Sequence, residues 1–145
     1  MSAEGEHGGS GVLAADRILV DGGFVGPGWV SYADGRITGV AAGSPPDAAE
    51  RLEGLALVPG FVDVHQHGGG GVAYTDGPAA ALTALRTHRR HGTTTSVASL
   101  VADSLEILES QVAALAALVE DDEFAGIHLE GPWLSERSAE PTTQG

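Results

Sequence analysis

The sequence predicts an α/β chain in which a short run of strands precedes strand–helix units on a parallel sheet. Three observations carry this. Residues 15–43 hold brief apolar bursts closed or divided by Asp-Gly dipeptides, a hairpin signal. From Leu55 onward, apolar strand-like runs alternate with segments whose apolar residues recur at helical spacing. The residues best suited to bind a ligand, His65, His67 and Glu130, fall at the C-terminal ends of those runs, the face on which β/α barrels do their chemistry.

The elements follow in order. "DRILVDGG" is an apolar burst stopped by Asp-Gly-Gly, and "GWVSYADGRITGV" is two strand-like runs about Asp34-Gly35. "SPPDAAERLEG", with Pro45-Pro46 and alternating charge, reads as a connector. "LALVPGFVDVHQHGGGG" reads as a buried strand ending in glycines. "GPAAALTALRTHRRHG" is helix-like, with Pro78 near its start and Gly92 as its stop. "TTTSVASLV" is a β-branched strand. "ADSLEILESQVAALAALVED" is a helix capped by Asp103 or Ser104, with Leu105, Leu108, Val112, Leu115 and Val119 on one face. "FAGIHLEGPWL" reads as a third buried strand.

Composition narrows the chemistry. The 145 residues include 42% hydrophobic ones, enough for a sizeable core. No apolar run reaches the roughly 18–20 residues of a membrane span, and "MSAEGEHGGSG" has no signal-peptide core, so residues 1–10 read as a disordered leader and the protein as cytoplasmic. The net charge of −13 repels phosphate backbones and argues against nucleic-acid binding. There is no cysteine, hence no thiolate metal site. All seven basic residues are arginine, which removes a P-loop, a Schiff-base lysine and a carboxylated lysine that could bridge metals.

His65 and His67 are spaced i, i+2, so on a strand both imidazoles point to one face and can share a divalent metal. The glycines 68–71 that follow allow close backbone approach. Asp63 shares their side of the strand and is either an orienting carboxylate or a solvated one. Glu130 ends an apolar run and is turned off by Gly131-Pro132; a buried carboxylate needs a partner or a metal. His128 reads as a satisfied core histidine. His88 and His91, beside Arg89 and Arg90, read as a cationic helix C-terminus that favours the macrodipole.

These stretches match a known pattern. "LVPGFVDVHQHGGGG" resembles the first barrel strand of the amidohydrolase superfamily. "GIHLEGPWLS" resembles the His-Leu-Glu-Gly-Pro signature of the N-acetylglucosamine-6-phosphate deacetylase family, and "HRRHGTTTSVASLV" fits that family between the two. The resemblance covers residues 11–137. It implies an incomplete (β/α) TIM-type barrel, about its first three β/α units, preceded by a small β-sandwich segment. Residues 11–57 are then the small β-domain segment, 58–137 the N-terminal part of the barrel, and 138–145 an aberrant tail. It further implies metal-dependent removal of acetate from N-acetylglucosamine 6-phosphate. Glu130 would be a direct ligand of a divalent metal ion. His65 and His67 match the pair that holds a second metal in some members and is altered in others. Zinc is the first choice, with iron or manganese as alternatives. The partner would be a small amino-sugar phosphate, and the full-length family member would be a homodimer. Rival expectations are an amidohydrolase acting on a cyclic amide or an N-acyl amino acid, and a non-catalytic remnant that binds metal or another subunit.

The sequence departs from the family pattern after Glu136. By the resemblance, a Gly-Ala-His segment, two further histidine ligands, the phosphate-binding groups and the catalytic aspartate come from later strands. The residues present therefore include no catalytic residue. Read from the third base of the Ser138 codon, suitable codons for "SAEPTTQG" give Arg-Gly-Ala-His-Asp-Pro-Gly, so a frameshift is the expected source of the tail.

Overall fold

Asp21 and Asp34 both adopt positive φ (48° and 51°), and each precedes a glycine at positive φ, Gly22 at 79° and Gly35 at 72°. Two consecutive left-handed residues make the two-residue hairpin turn whose twist matches the flanking strands. The chain accordingly reverses twice, joining β1 (Ser10–Val20) to β2 (Gly23–Val25) and β3 (Gly28–Ala33) to β4 (Arg36–Ala42). In this computed structural model, which describes residues 9–131, these strands lie in the order β2–β1–β3–β4. Residues 1–8 of the expected leader and the whole expected tail, 138–145, lie outside the described residues.

The expected connector at 44–54 is a strand in its second half. β5 (Glu50–Leu57) pairs with β1 in parallel, making a five-stranded, mainly antiparallel sheet. Its charged residues look like a loop because most of the strand is exposed. The pairing shifts register between Ala15 and Arg17, and the Asp16 carboxylate there accepts the Gly54 N–H at 2.9 Å, replacing a ladder bond. Within this stretch the described residues form one sheet.

The chain divides into two compact units, Met1–Pro59 and Gly60–Gly145. In the second, β6 (Phe61–Gln66), β9 (Thr93–Leu100) and β10 (Gly126–Leu129) form a parallel sheet with β9 central. A small hairpin of β7 (Gly68–Gly69) and β8 (Val72–Ala73) follows β6, and a 3₁₀ turn at Tyr74–Asp76 leads into helix α1 (Pro78–Arg90). Pro78 occupies the first turn, where its missing N–H costs nothing, and Gly92 at φ 95° ends the helix. Helix α2 (Leu105–Glu120) is capped by Ser104, whose side chain accepts the Ile107 N–H at 3.4 Å. Its neighbour Asp103 instead takes the Ser104 N–H at 2.7 Å.

The core lies between the helices and β9: Ala81, Ala84 and Leu85 of α1 and Leu108, Leu115 and Leu118 of α2 meet Ala98, Leu100, Tyr74 and Phe124. Two strands expected to be buried are not. On β6, Phe61, Val62 and Val64 are 58%, 65% and 63% exposed, and on β10 His128 and Leu129 are exposed. Both strands are edges of the three-stranded sheet, and these side chains lie uncovered on it.

Candidate metal centre

Strand alternation sets the site. Gln66, between the two histidines, is buried, while His65 and His67 on either side of it are turned out. Their Nε2 atoms converge on one carboxylate oxygen: Glu130 Oε1 lies 2.9 Å from His65 Nε2 and 3.3 Å from His67 Nε2. Glu130 reaches this point from the tip of β10, where its N–H donates to the Leu100 carbonyl at 3.0 Å and continues the ladder one residue beyond the strand. The two rings meet edge-on, centroids 5.1 Å apart.

The His67 ring has a fixed tautomer. Its Nδ1 lies 3.0 Å from the Ser99 carbonyl oxygen, which can only accept, so Nδ1 carries the proton. In the neutral ring Nε2 then offers a lone pair toward the Glu130 oxygen. A lone pair facing a carboxylate is settled by a proton or by a cation between them, and backbone-anchored imidazoles are the usual arrangement around metals. One donor atom from each of His65, His67 and Glu130 lies within 4.8 Å of the others. The 3.3 Å pair matches the edge of a tetrahedron with bonds of about 2.0–2.1 Å. The three residues are thus a group able to hold a metal ion, open to solvent on the side of the histidines.

The other candidates fall differently. Asp63 does not reach a ring; its Oδ1 accepts the His65 backbone N–H at 3.2 Å and steadies the strand. His128 is exposed rather than in the core. Its ring lies 5.6 Å from that of His65, with Nδ1 3.4 Å from Ser99 Oγ. Ser99, directly opposite His128 in the ladder and 1% exposed, therefore touches two imidazoles, one through its carbonyl and one through its hydroxyl. A backbone acceptor carries no sequence signal, and Ser99 looks like an ordinary strand residue. His91 caps α1, and Arg89 pairs with Glu123 at 2.7 Å. Tyr74 is buried edge-on against Phe124, centroids 5.0 Å apart. Burial, with a smaller contribution from the Asp63 charge, pushes its hydroxyl up from 10.0 to about 12.

Residues 56–142 match the Amidohydrolase family. An N-acetylgalactosamine-6-phosphate deacetylase of Shewanella sp. (strain ANA-3) is 30% identical over 86% of this chain and 34% of its own length. An N-acetylglucosamine-6-phosphate deacetylase of Bacillus subtilis (strain 168) is 28% identical over 84% of this chain and 34% of its own. The solved structure of an N-acetyl-D-glucosamine-6-phosphate deacetylase mutant of Mycobacterium smegmatis, in complex with N-acetyl-D-glucosamine-6-phosphate, superimposes with a TM-score of 0.82. It is 45% identical and covers 88% of this chain and 34% of that one. The chain belongs to the amidohydrolase family, whose members are typically metal-dependent, and it spans about a third of the length of these relatives. Among the described residues no helix is long and apolar enough to cross a membrane.

Proposed function

We propose that this chain corresponds to the N-terminal part of a metal-dependent deacetylase that converts N-acetylglucosamine 6-phosphate to glucosamine 6-phosphate and acetate. The observation that carries the reading is the 45% identity, over 88% of the chain, to a deacetylase solved with N-acetyl-D-glucosamine-6-phosphate. Residues 58–137 are then the first three β/α units of a TIM-type barrel, which closes with about eight strands, and 11–57 a segment of a small flanking β-domain. The homodimer and the cytoplasmic setting belong to the same reading.

His65 Nε2, His67 Nε2 and Glu130 Oε1 would hold a divalent ion, with zinc the first candidate and iron or manganese the alternatives. Their convergence at 2.9 and 3.3 Å supports this. Such an ion would supply Lewis acidity toward the acetyl carbonyl and activate water for attack on it. The chain's own residues orient it: the Ser99 carbonyl fixes the His67 tautomer, and the Glu130 carboxylate is brought to both rings by the β10 tip. General-base catalysis and substrate positioning each contribute orders of magnitude, and by the family pattern those groups belong to later strands. The purified 145-residue chain should therefore release no acetate from N-acetylglucosamine 6-phosphate. A protein extended by the remaining strands should do so, and should lose the activity in Glu130→Gln. Turnover by the short chain that Glu130→Gln abolishes would contradict this division of labour.

A second substrate has one observation in its favour, since the Shewanella relative acts on the galactose epimer. Comparing kcat/KM of the extended protein for the two N-acetylhexosamine 6-phosphates separates the readings.

A further inference from the structure

His88 lies on α1, outside the three-residue group, yet its ring is tied to the segment that follows His67. Its Nε2 is 2.9 Å from the Gly68 carbonyl oxygen, so Nε2 is the protonated nitrogen and donates. The hairpin β7–β8 rests directly on the last turns of α1. A Cβ on Gly69 would stand 2.6 Å from His88 Nε2, and one on Gly70 would stand 2.6 Å from Thr87 Oγ1. Only glycine allows that approach, and Gly70 also sits at φ 64°. The base of the hairpin is closed on His67 itself, whose carbonyl accepts the Tyr74 N–H at 2.9 Å. His67 is thus held on the ring side by Ser99 and on the chain side by a hairpin whose attachment to the helix is His88.

We propose that His88 is a positioning residue for the metal centre: by anchoring the glycine hairpin to α1 it sets where His67 presents Nε2 to Glu130. The consequence for metal binding rests on the proposed reading of the site, but the effect on His67 does not. Helix α1 runs for 13 residues and packs Ala81, Ala84 and Leu85 into the core, so it is a rigid support; the hairpin strands are two residues each and have little stability of their own.

The test uses the metal-free 145-residue chain first. Nitrogen-15 NMR of the imidazoles should show His67 as the single Nδ1–H tautomer. In His88→Ala the His67 signals should move to tautomer-averaged positions and the Tyr74 amide should exchange faster. His88→Gln, whose amide can donate in place of Nε2, should restore both. Zinc titration follows: the dissociation constant should rise about tenfold in His88→Ala, the low end for groups that orient ligands from outside, and recover in His88→Gln. Should His88→Ala unfold, Gly69→Ala pushes the ring off the hairpin and should give the same change at His67. Unaltered His67 signals and Tyr74 exchange in the folded variant would overturn the proposal, whatever zinc does. If the parent chain binds no zinc while His88→Ala still disturbs His67, the positioning role stands and the metal reading falls.

Discussion

β6 and β9 run side by side in one parallel sheet, yet they are held in different ways. β9 is central: Ala98, Ser99 and Leu100 are essentially inaccessible, packed by α1 and α2 on one side and bonded to a strand on each edge. β6 is an edge strand whose Phe61, Val62 and Val64 face solvent, although it leads to two of the three candidate ligands. What places those ligands is a small set of polar contacts at the strand's C-terminal tip: Ser99 to His67, Tyr74 to the His67 carbonyl, His88 to Gly68 and Asp63 to the His65 N–H. The scaffold is made by apolar packing and the site by hydrogen bonds to that scaffold, so the two should respond to different perturbations.

The largest effect should come from the packed side. Leu115→Ala removes a side chain that is 1% exposed and should cost about 2–5 kcal/mol of unfolding free energy in urea. Val64→Thr on β6 should stay within about 0.5 kcal/mol. Equal losses at the two positions would mean that β6 is covered in solution and that the comparison is wrong.

Next comes pH. Tyr74 belongs to both regions, its ring in the core and its N–H on His67. Its hydroxyl is raised from 10.0 to about 12 in the folded chain, so on raising pH the unfolded chain loses this proton first. The stability it contributes is whole below pH 10 and is lost as pH rises to about 12, by at most roughly 2–3 kcal/mol. With no lysine and no cysteine in the sequence, and arginine titrating above this range, few other groups interfere. Alkaline denaturation should therefore be shallower in Tyr74→Phe. Since the buried hydroxyl has no hydrogen-bond partner among the described residues, that variant should lose little at neutral pH. An unchanged alkaline slope would show that the tyrosine is wetter than the packing implies.

A smaller effect belongs to the rim of the packed layer. Ser104→Ala should cost about 0.5–1 kcal/mol, the low part of the capping range, because its bond to the Ile107 N–H is long at 3.4 Å. A loss above that would mean that α2 depends on its cap more than on its buried face.

The same contrast explains what could be read from the sequence. Local patterns are visible: the Asp34-Gly35 hairpin, the helical spacing of Leu108, Val112 and Leu115, the stop at Gly92, and the i, i+2 histidines beside a glycine run. Glu130 is also legible as a strand-tip carboxylate, since it follows an apolar run and stands directly after β10. Three features are hidden. β5 resembles a connector because an exposed edge strand tolerates charge and glycine. β6 and the end of β10 resemble buried strands because apolar runs report what could be covered, not what is. The supports of His67 come from a carbonyl 32 residues away and a glycine-facing histidine, and neither a backbone acceptor nor a contact across that distance leaves a periodic trace.

His65, His67 and Glu130 are proposed to form one metal site. Calorimetric titration of the 145-residue chain with zinc tests it most directly. Three ligands on a sheet with an open edge should bind one ion weakly, since ligand count and rigidity both set affinity. The paired variant His65→Ala with Glu130→Ala should remove the heat of binding altogether. Tight, stoichiometric binding that persists in that variant would place the metal elsewhere and contradict the account.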